Sequence, residues 1–435
     1  MGIQAPVVSC PPEIRKIADE YKDLLGSHYS AFVAALSGAV FGVGNFSEIV
    51  RYFVFSPSVS SLSRLYAEEE LYPQLNRRHR RKVLSLLKKA DRNPKRYMWA
   101  IDDTLIPHWG KDIWGADYWY DHTTNAIVYG HKLLVLGLVD RKTKTLIPVF
   151  WEVLHREKKG LEHLHEKGWE VALKLLKLAA GAGFPKLTVC TDSWFAGEDF
   201  FDALTSPELG LNYVCEIKSN RKVIQDGTDK DLDTRVDDYF KGSKRSKIFY
   251  KGNKKWAVEA VLRFNESKKD KKTVAVANKK SIDKDPFAYY VTNQLTWSAS
   301  TVWAISRDRW AIEVQFRELK QSFTLGESAV RSQQAVETSF SIAMIALTAI
   351  RFEQLARVDA NEDQHVRPIP AGTIVREYQL QSLILSISKL ASNYYPKIKE
   401  KIRARLNPDN ISRKPTEKNK DPKIFEQSEV MRKAA

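Results

Sequence analysis

The sequence predicts an α/β protein: a mixed-sheet core with a β-rich insertion, a helical region before it and a helical region after it. Three observations predict this. Apolar residues recur at helical spacing up to about residue 95. Runs rich in Val, Ile, Leu and aromatics then alternate with turn residues and two helical segments. A Lys-rich stretch of short alternating runs interrupts that pattern before helical periodicity returns near residue 300.

Taken in order, Ile14, Ile17, Tyr21 and Leu24 carry the first helical stripe, and Val83, Leu86 and Leu87 a later one, with the polar break Ser56-Pro57-Ser58 between. Residues 1–96 thus read as a helical domain. It ends in a basic run: residues 77–96 hold ten Lys/Arg and one acid. Tyr97 to Ile106, Ile127 to Asp140 and Leu146 to Leu154 read as three consecutive antiparallel strands. Helical spacing over 162–180 stops at Gly181-Ala182-Gly183. A short strand at 186–190, a short helix at 198–204 and a strand at 212–217 complete the first part of the core, 97–217. The β-rich insertion is placed at 218–299, with strands near 248–250, 256–264, 273–277 and 287–292; residues 241–280 carry fourteen Lys/Arg against three acids. The second part of the core, 300–356, is helical. Ser339 to Ile350 reads as a buried helix, since no apolar run reaches the length of a membrane span. Residues 357–435 read as a helical region whose end, 407–435, has the composition of a flexible tail.

The composition is that of a soluble globular chain: 43% hydrophobic and 28% charged over 435 residues. A net charge of +16 favours a polyanionic partner and sets no fold. Three cysteines, Cys10, Cys190 and Cys215, are too few and too scattered for a disulfide framework or a zinc site, which suits a reducing compartment. The first twelve residues lack the basic and apolar regions of a signal peptide. The expected location is cytoplasmic, with no membrane partner.

Chemistry concentrates in three places. Ala100-Ile101-Asp102-Asp103-Thr104 and Val189-Cys190-Thr191-Asp192-Ser193-Trp194 each end an apolar strand in acid, and Glu313 lies on a helix between Arg309 and Lys320. Hard carboxylate oxygens suit magnesium, which keeps several waters, and two such ions about 4 Å apart can activate one phosphodiester oxygen and stabilise another. At 100° per residue Arg309, Glu313 and Lys320 fall within about 40° of one another on the helix. Ile312, Phe316, Leu319 and Phe323 form the neighbouring apolar stripe that can pack on a sheet. Each piece alone has a plainer reading: a strand-end Asp as a turn residue, and Arg309 with Glu313 as an i, i+4 ion pair. The set in this order within one strand-helix pattern is what points to a divided active site.

These segments resemble the DDE transposases of bacterial insertion sequences, in particular insertion-sequence family four. Asp102-Asp103-Thr104 matches the first motif, Asp192-Ser193-Trp194-Phe195 the second. Arg309, Glu313 and Lys320 match the third at the required spacing, with Ser306 where the family has Tyr. The resemblance covers about 97–326 and implies an RNase H-like core, with the insertion before the glutamate as a family trait. It implies Asp103, Asp192 and Glu313 as the metal-binding triad, with Mg²⁺ as cofactor and Mn²⁺ as substitute. Asp102 is expected to point to the opposite sheet face. Arg309 and Lys320 would contact DNA phosphates, and a homodimer would pair two DNA ends. Family members that form a DNA hairpin stack a flipped base on a Trp; the corresponding window has Phe287, Tyr289 and Tyr290, with Trp256 and Trp297 as substitutes.

Around this centre, Arg77, Arg78, Arg80, Arg81 and Lys82 are candidate DNA-backbone contacts, the plainer reading being a solvated helix face. His155, His163 and His165 sit among Lys and Glu and do not read as a zinc set. Lys132 lies in the second strand, where it could face the site, the plainer reading being a strand-edge role, and Trp194 is the aromatic expected to line the site. Besides a transposase, the sequence leaves open a DNA-binding protein derived from one, or an RNase H-like nuclease that cuts without joining.

Overall fold

A computed structural model describes residues 10–53, 57–89, 94–156, 165–225, 232–241, 243–250, 252–264, 270–278, 287–360 and 369–391. The 407–435 segment and His163 lie outside the described residues. Six helices come first: α1 (Pro12–Asp19), α2 (Lys22–Leu25), α3 (Tyr29–Phe41), α4 (Phe46–Tyr52), α5 (Val59–Ala67) and α6 (Leu71–Lys89). The sheet follows with β1 (Tyr97–Pro107), β2 (Asp117–Asp121), β3 (Ala126–Asp140) and β4 (Thr145–Leu154), then α7 (Gly168–Gly181), β5 (Val189–Thr191), α8 (Glu198–Thr205) and β6 (Tyr213–Ile217). Next come β7 (Lys222–Gln225), β8 (Leu232–Arg235), α9 (Val236–Phe240), β9 (Ser246–Tyr250), β10 (Asn253–Phe264), β11 (Lys271–Ala277) and β12 (Ala288–Thr292). Three helices close the described chain: α10 (Ala299–Ser322), α11 (Gln333–Asp359) and α12 (Ala371–Ala391).

Among the described residues all the strands join one mixed sheet, ordered β2-β3-β1-β5-β6-β12-β11-β10-β7-β8, with β4 on β3 and β9 on β10. β3 runs antiparallel to β1, and β5 and β6 run parallel to it. β2 and β4 follow one another along the far edge of β3. The strands of the 218–299 region therefore continue the central sheet, through β12 paired with β6. A buried ion pair fastens them to it: Lys271 on β11 meets Glu198 on α8 at 2.6 Å.

Strand alternation divides the interior into two cores. Met98 and Ala100 of β1, with Leu133 and Val135 of β3, face α10, α11 and the N-terminal helices. Trp99 and Ile101, with Leu134 and Leu136, face α7 and α8. The N-terminal helices thus share a core with the sheet and α11. The apolar window of α11 is long enough to cross a membrane by length and composition, as is that of 22–41, but 89% of the α11 window is buried among protein. Its apolar character is that of a central helix, as the sequence predicts for 339–350.

Four short elements depart from the sequence reading: β7 and β8, four residues each, fall where it placed no strand, and β2 and α9 differ as well. β2 reads Asp-Tyr-Trp-Tyr-Asp, too short and too polar at its ends to stand out as a strand. α9, five residues long, interrupts a region read as purely β; Asp237 and Asp238 in its first turn suit the positive end of a helix.

Candidate active site

Asp102 and Asp103 are consecutive residues of β1, so their side chains leave the sheet on opposite faces. Asp102 turns toward α10. Its Oδ2 accepts from Arg309 Nη1 at 2.9 Å, and Arg309 Nη2 donates to Glu313 Oε1 at 3.0 Å. Asp103 turns toward the α7 side, where its carboxylate meets Lys132 Nζ at 3.4 Å. The side chain joined through Arg309 to Glu313 is therefore Asp102, where the sequence reading paired Asp103 with Glu313. That reading foresaw the opposite faces and assigned Asp103 to the one that Glu313 shares; α10 covers the face of Asp102.

Asp192 follows β5. The parallel register pairs Ala100 with Cys190, so Asp192 stands two residues beyond, level with Asp102. Its Oδ1 accepts the Trp194 backbone N–H at 3.1 Å, which fixes the turn leaving the strand. Across the next parallel pair Thr191 lies beside Cys215, so Glu216 of β6 comes level with Asp192. Glu216 is a carboxylate the sequence reading passed over. Its one visible signal is an acid inside the apolar run Tyr213-Val214-Cys215-Glu216-Ile217.

Why α10 lies across these strand ends follows from its sequence. Ser298 caps it, accepting from Thr301 N–H at 3.2 Å. Ile305, Ile312, Phe316 and Leu319 bury against the sheet. Asp308, fully buried, accepts from Arg141 at 2.8 Å and pairs with Lys144, which pins the helix to the β3–β4 turn. Arg309 is held one residue later, over the acids.

The electrostatics are those of crowded, poorly hydrated acids. Burial, reinforced by Asp192 and opposed by Arg309, pushes the Asp102 carboxyl up to about 7. Burial raises Asp103 against the pull of Lys132, and raises Asp192 against that of Arg309. Glu216 is raised by burial too, with Arg309 opposing and Asp192 and Glu313 adding to the rise. Arg309 rises above its ordinary value because these anions outweigh the burial that opposes its charge.

Hard oxygen donors of this kind suit Mg²⁺ rather than a thiophilic ion. Yet among the described residues no three His, Cys, Asp or Glu side chains stand close enough together to hold a metal ion as they are. The Arg309 guanidinium links Asp102 to Glu313 instead. The His165 ring lies 3.0 Å from the His155 carbonyl.

Other predicted contacts land as follows. Lys320 Nζ lies 3.4 Å from the Leu105 carbonyl, and burial lowers its pKa against the pull of Asp121. Ser306 donates to the Trp303 carbonyl at 2.8 Å. Tyr289 is buried against Phe240, so it offers no free stacking face. The basic run on α6 divides. Arg78 pairs with Asp23 at 2.6 Å and Lys82 with Glu20 at 2.6 Å, while Arg80 lies over the Phe150 ring. Arg78 and Lys82 make ion pairs within the protein because Glu20 and Asp23, around the α1–α2 junction, bring acids to that face, whereas Arg80 meets an aromatic ring of β4. Arg77, Arg80 and Arg81 line a cleft of about 630 Å³ with Lys174 and Lys177 of α7, over Leu84, Leu178 and Phe184.

Residues 70–280 match the DDE superfamily endonucleases. The match spans 211 of 435 residues, includes Asp102, Asp103 and Asp192, and stops before Glu313. No curated protein matches the chain. Among solved structures the chain is similar to a piggyBac transposase synaptic complex with hairpin DNA, at 13% identity and a TM-score of 0.46, over 94% of this chain and 85% of that one.

Proposed function

We propose that the chain is a DNA transposase, a metal-dependent endonuclease and strand transferase that cuts transposon ends and joins them to target DNA. The observation that carries this reading is the row of Asp102, Asp192 and Glu216 on three neighbouring parallel strands beneath Glu313 of α10, within a chain whose 70–280 segment matches DDE endonucleases. The sheet order β4-β3-β1-β5-β6 supports the RNase H-like reading. Membership of insertion-sequence family four rests on the spacing of Arg309, Glu313 and Lys320.

Asp192, Glu313 and an aspartate of the 102–103 pair would hold Mg²⁺ or Mn²⁺; their face favours Asp102, and the sequence motif favours Asp103. The bound ion would lower the pKa of the attacking water and offset charge on the leaving oxygen. The strands hold the backbone of the acids at fixed positions, and their side chains would draw together around the ion, since as they stand no three of them hold one. Arg309 neutralises the acids in the free protein and is placed to turn its guanidinium to a phosphate. Lys320, partly desolvated, offers a second cation at the end of β1. Two subunits would pair two DNA ends, and the cytoplasm is the expected place of action.

The deciding experiment is nicking of supercoiled DNA with Mg²⁺, comparing wild type with Asp192→Asn. Wild-type nicking that the variant lacks supports the enzyme; equal activity of the two removes the catalytic claim. Strand transfer from pre-cut ends then separates a transposase from a nuclease that only cuts. Asp102→Asn beside Asp103→Asn assigns the first ligand.

A further inference from the structure

A groove runs between α6 and α7. Arg77, Arg80 and Arg81 of α6 form one rim, and Lys174 and Lys177 of α7 form the other. Leu84, Leu178 and Phe184 line the floor, and the α7 wall drops at Gly181 and Ala182. Leu84 and Phe184 belong to the core that faces α7 and α8, so the groove opens on the side of the sheet away from α10. The spacing explains its shape: residues 77, 80, 81 and 84 share one helical face, as do 174, 177, 178 and 181. From Lys174 to Ala182 it runs about 12 Å, roughly two helical turns. It also lies away from the acids. The start of α7 is beside them, since a Cβ on Gly168 would lie 2.2 Å from the Trp194 ring. Leu178 is about 15 Å further along the helix.

A plainer reading makes this a gap between packed helices with solvated cations at its edges. That accounts for the lysines: Lys174 pairs with Glu152 and Glu166, and Lys177 with Glu208. It accounts less well for α6. Among the described residues no carboxylate pairs with Arg77, Arg80 or Arg81, whereas their neighbours Arg78 and Lys82 each have one. Burial lowers the Arg80 pKa; Tyr72 opposes the fall and Arg77 adds to it. Like charges three and four residues apart on a helix repel. Leu178, between the rims, keeps 46% of its surface open. An open apolar patch rimmed by charge marks a contact surface.

We propose that this groove docks an amphipathic helix of a partner protein, its apolar stripe against Leu84 and Leu178 and its Asp and Glu side chains against the two rims. Cations along both edges of an apolar floor are the complement of an apolar stripe edged by acids. Other occupants match only half of this. A DNA duplex would use the cations and leave the floor wet. An anionic lipid would cover the floor but calls for cations at one end, not along both sides. The lysines can serve beside the arginines, because their present pairs lie at the surface, where one carboxylate readily replaces another. The distance from the acids leaves the carboxylates open while the partner is bound. The proposal goes beyond the function given above and does not depend on it.

The test is fluorescence anisotropy on the full chain with three labelled peptides of about fourteen residues and a labelled DNA duplex of mixed sequence. The first peptide places leucines on one helical face with glutamates on both flanks. The second has the same composition shuffled, and the third has lysine for every glutamate. The first should bind at least about tenfold tighter than the other two. Leu178→Gln should weaken it about tenfold, and the exposure of that side chain lets the variant fold. Gly181→Phe fills the groove without removing a charge; a Cβ there meets nothing within 4 Å, so this variant should also fold and lose as much. Duplex binding should stay within about twofold in both variants. No preference for the first peptide, or its undiminished binding in either variant, overturns the proposal. Equal losses of peptide and duplex in Gly181→Phe assign the groove to DNA and overturn it as well. A wild type that fails to nick DNA yet shows the selective losses sinks the transposase reading and leaves the docking groove standing. Nicking without the selective losses does the reverse.

Discussion

Arg309 and Arg78 are both helical arginines paired with carboxylates, and their settings are opposites. Arg309 is buried over a cluster of acids that share it. Arg78 bridges to Asp23, an exposed residue, at the surface where α6 meets α2. The first pair is costly to leave half-made, because a lone charge away from water is poorly solvated. The second has water as a ready substitute. Proximity of opposite charges is the same in both; the surroundings decide what it is worth.

The sharpest way to break this contrast is Arg309→Ala. Stranding Asp102, Asp192 and Glu313 together should cost about 3 kcal/mol in chemical denaturation at pH 8, whereas Arg78→Ala should produce no resolvable change. Equal effects would mean that burial is not what separates the two.

Next comes the pH dependence of the acid cluster. The Asp102 carboxyl rises from an ordinary 3.8 to about 7 on folding. The folded chain then binds this proton more tightly than the unfolded chain, so stability is lost as the pH climbs from near 4 to about 7. Asp102→Asn removes that loss and should raise stability by roughly 1 kcal/mol or more at pH 8, with a smaller gain at pH 5. A flat difference between the two pH values would count against the desolvated-acid picture. Glu216→Gln should act in the same direction with a smaller amplitude, which thermal melts at the same two pH values would reveal.

The smallest effects belong to the basic cleft. If Arg77 and Arg81 each touch a DNA phosphate, the double alanine variant should flatten the plot of log affinity against log salt by about two units of slope, while Arg78→Ala leaves it unchanged. Filter binding across a salt series would show whether the division of α6 into internal and outward cations is real.

Much of this was legible in the sequence. Three of the first four strands, the buried helix near 339–350 and α10 with its Arg309–Glu313 edge follow from periodicity and spacing, because those elements are long and apolar on one side. The face taken by Asp102 was not, since alternation along a strand says only that neighbours diverge. Naming the face requires knowing where a helix two hundred residues later will lie. Glu216 was missed for a related reason: one acid in an apolar strand gains meaning only when β5 stands beside it. Likewise the partners of Arg78 and Lys82 lie more than fifty residues upstream, and no local pattern announces them.

The β12–β6 pairing has a consequence for the order of events in the cell. The ribosome must add the whole stretch from Ile217 to Ala288 before the sheet can close around β6, and α10 with Glu313 emerges later still. Until then the acids of β1, β5 and β6 have no arginine over them and repel one another. A nascent chain stalled anywhere in that interval is a poor competitor for the native arrangement, and truncation there should yield insoluble product rather than a smaller working protein.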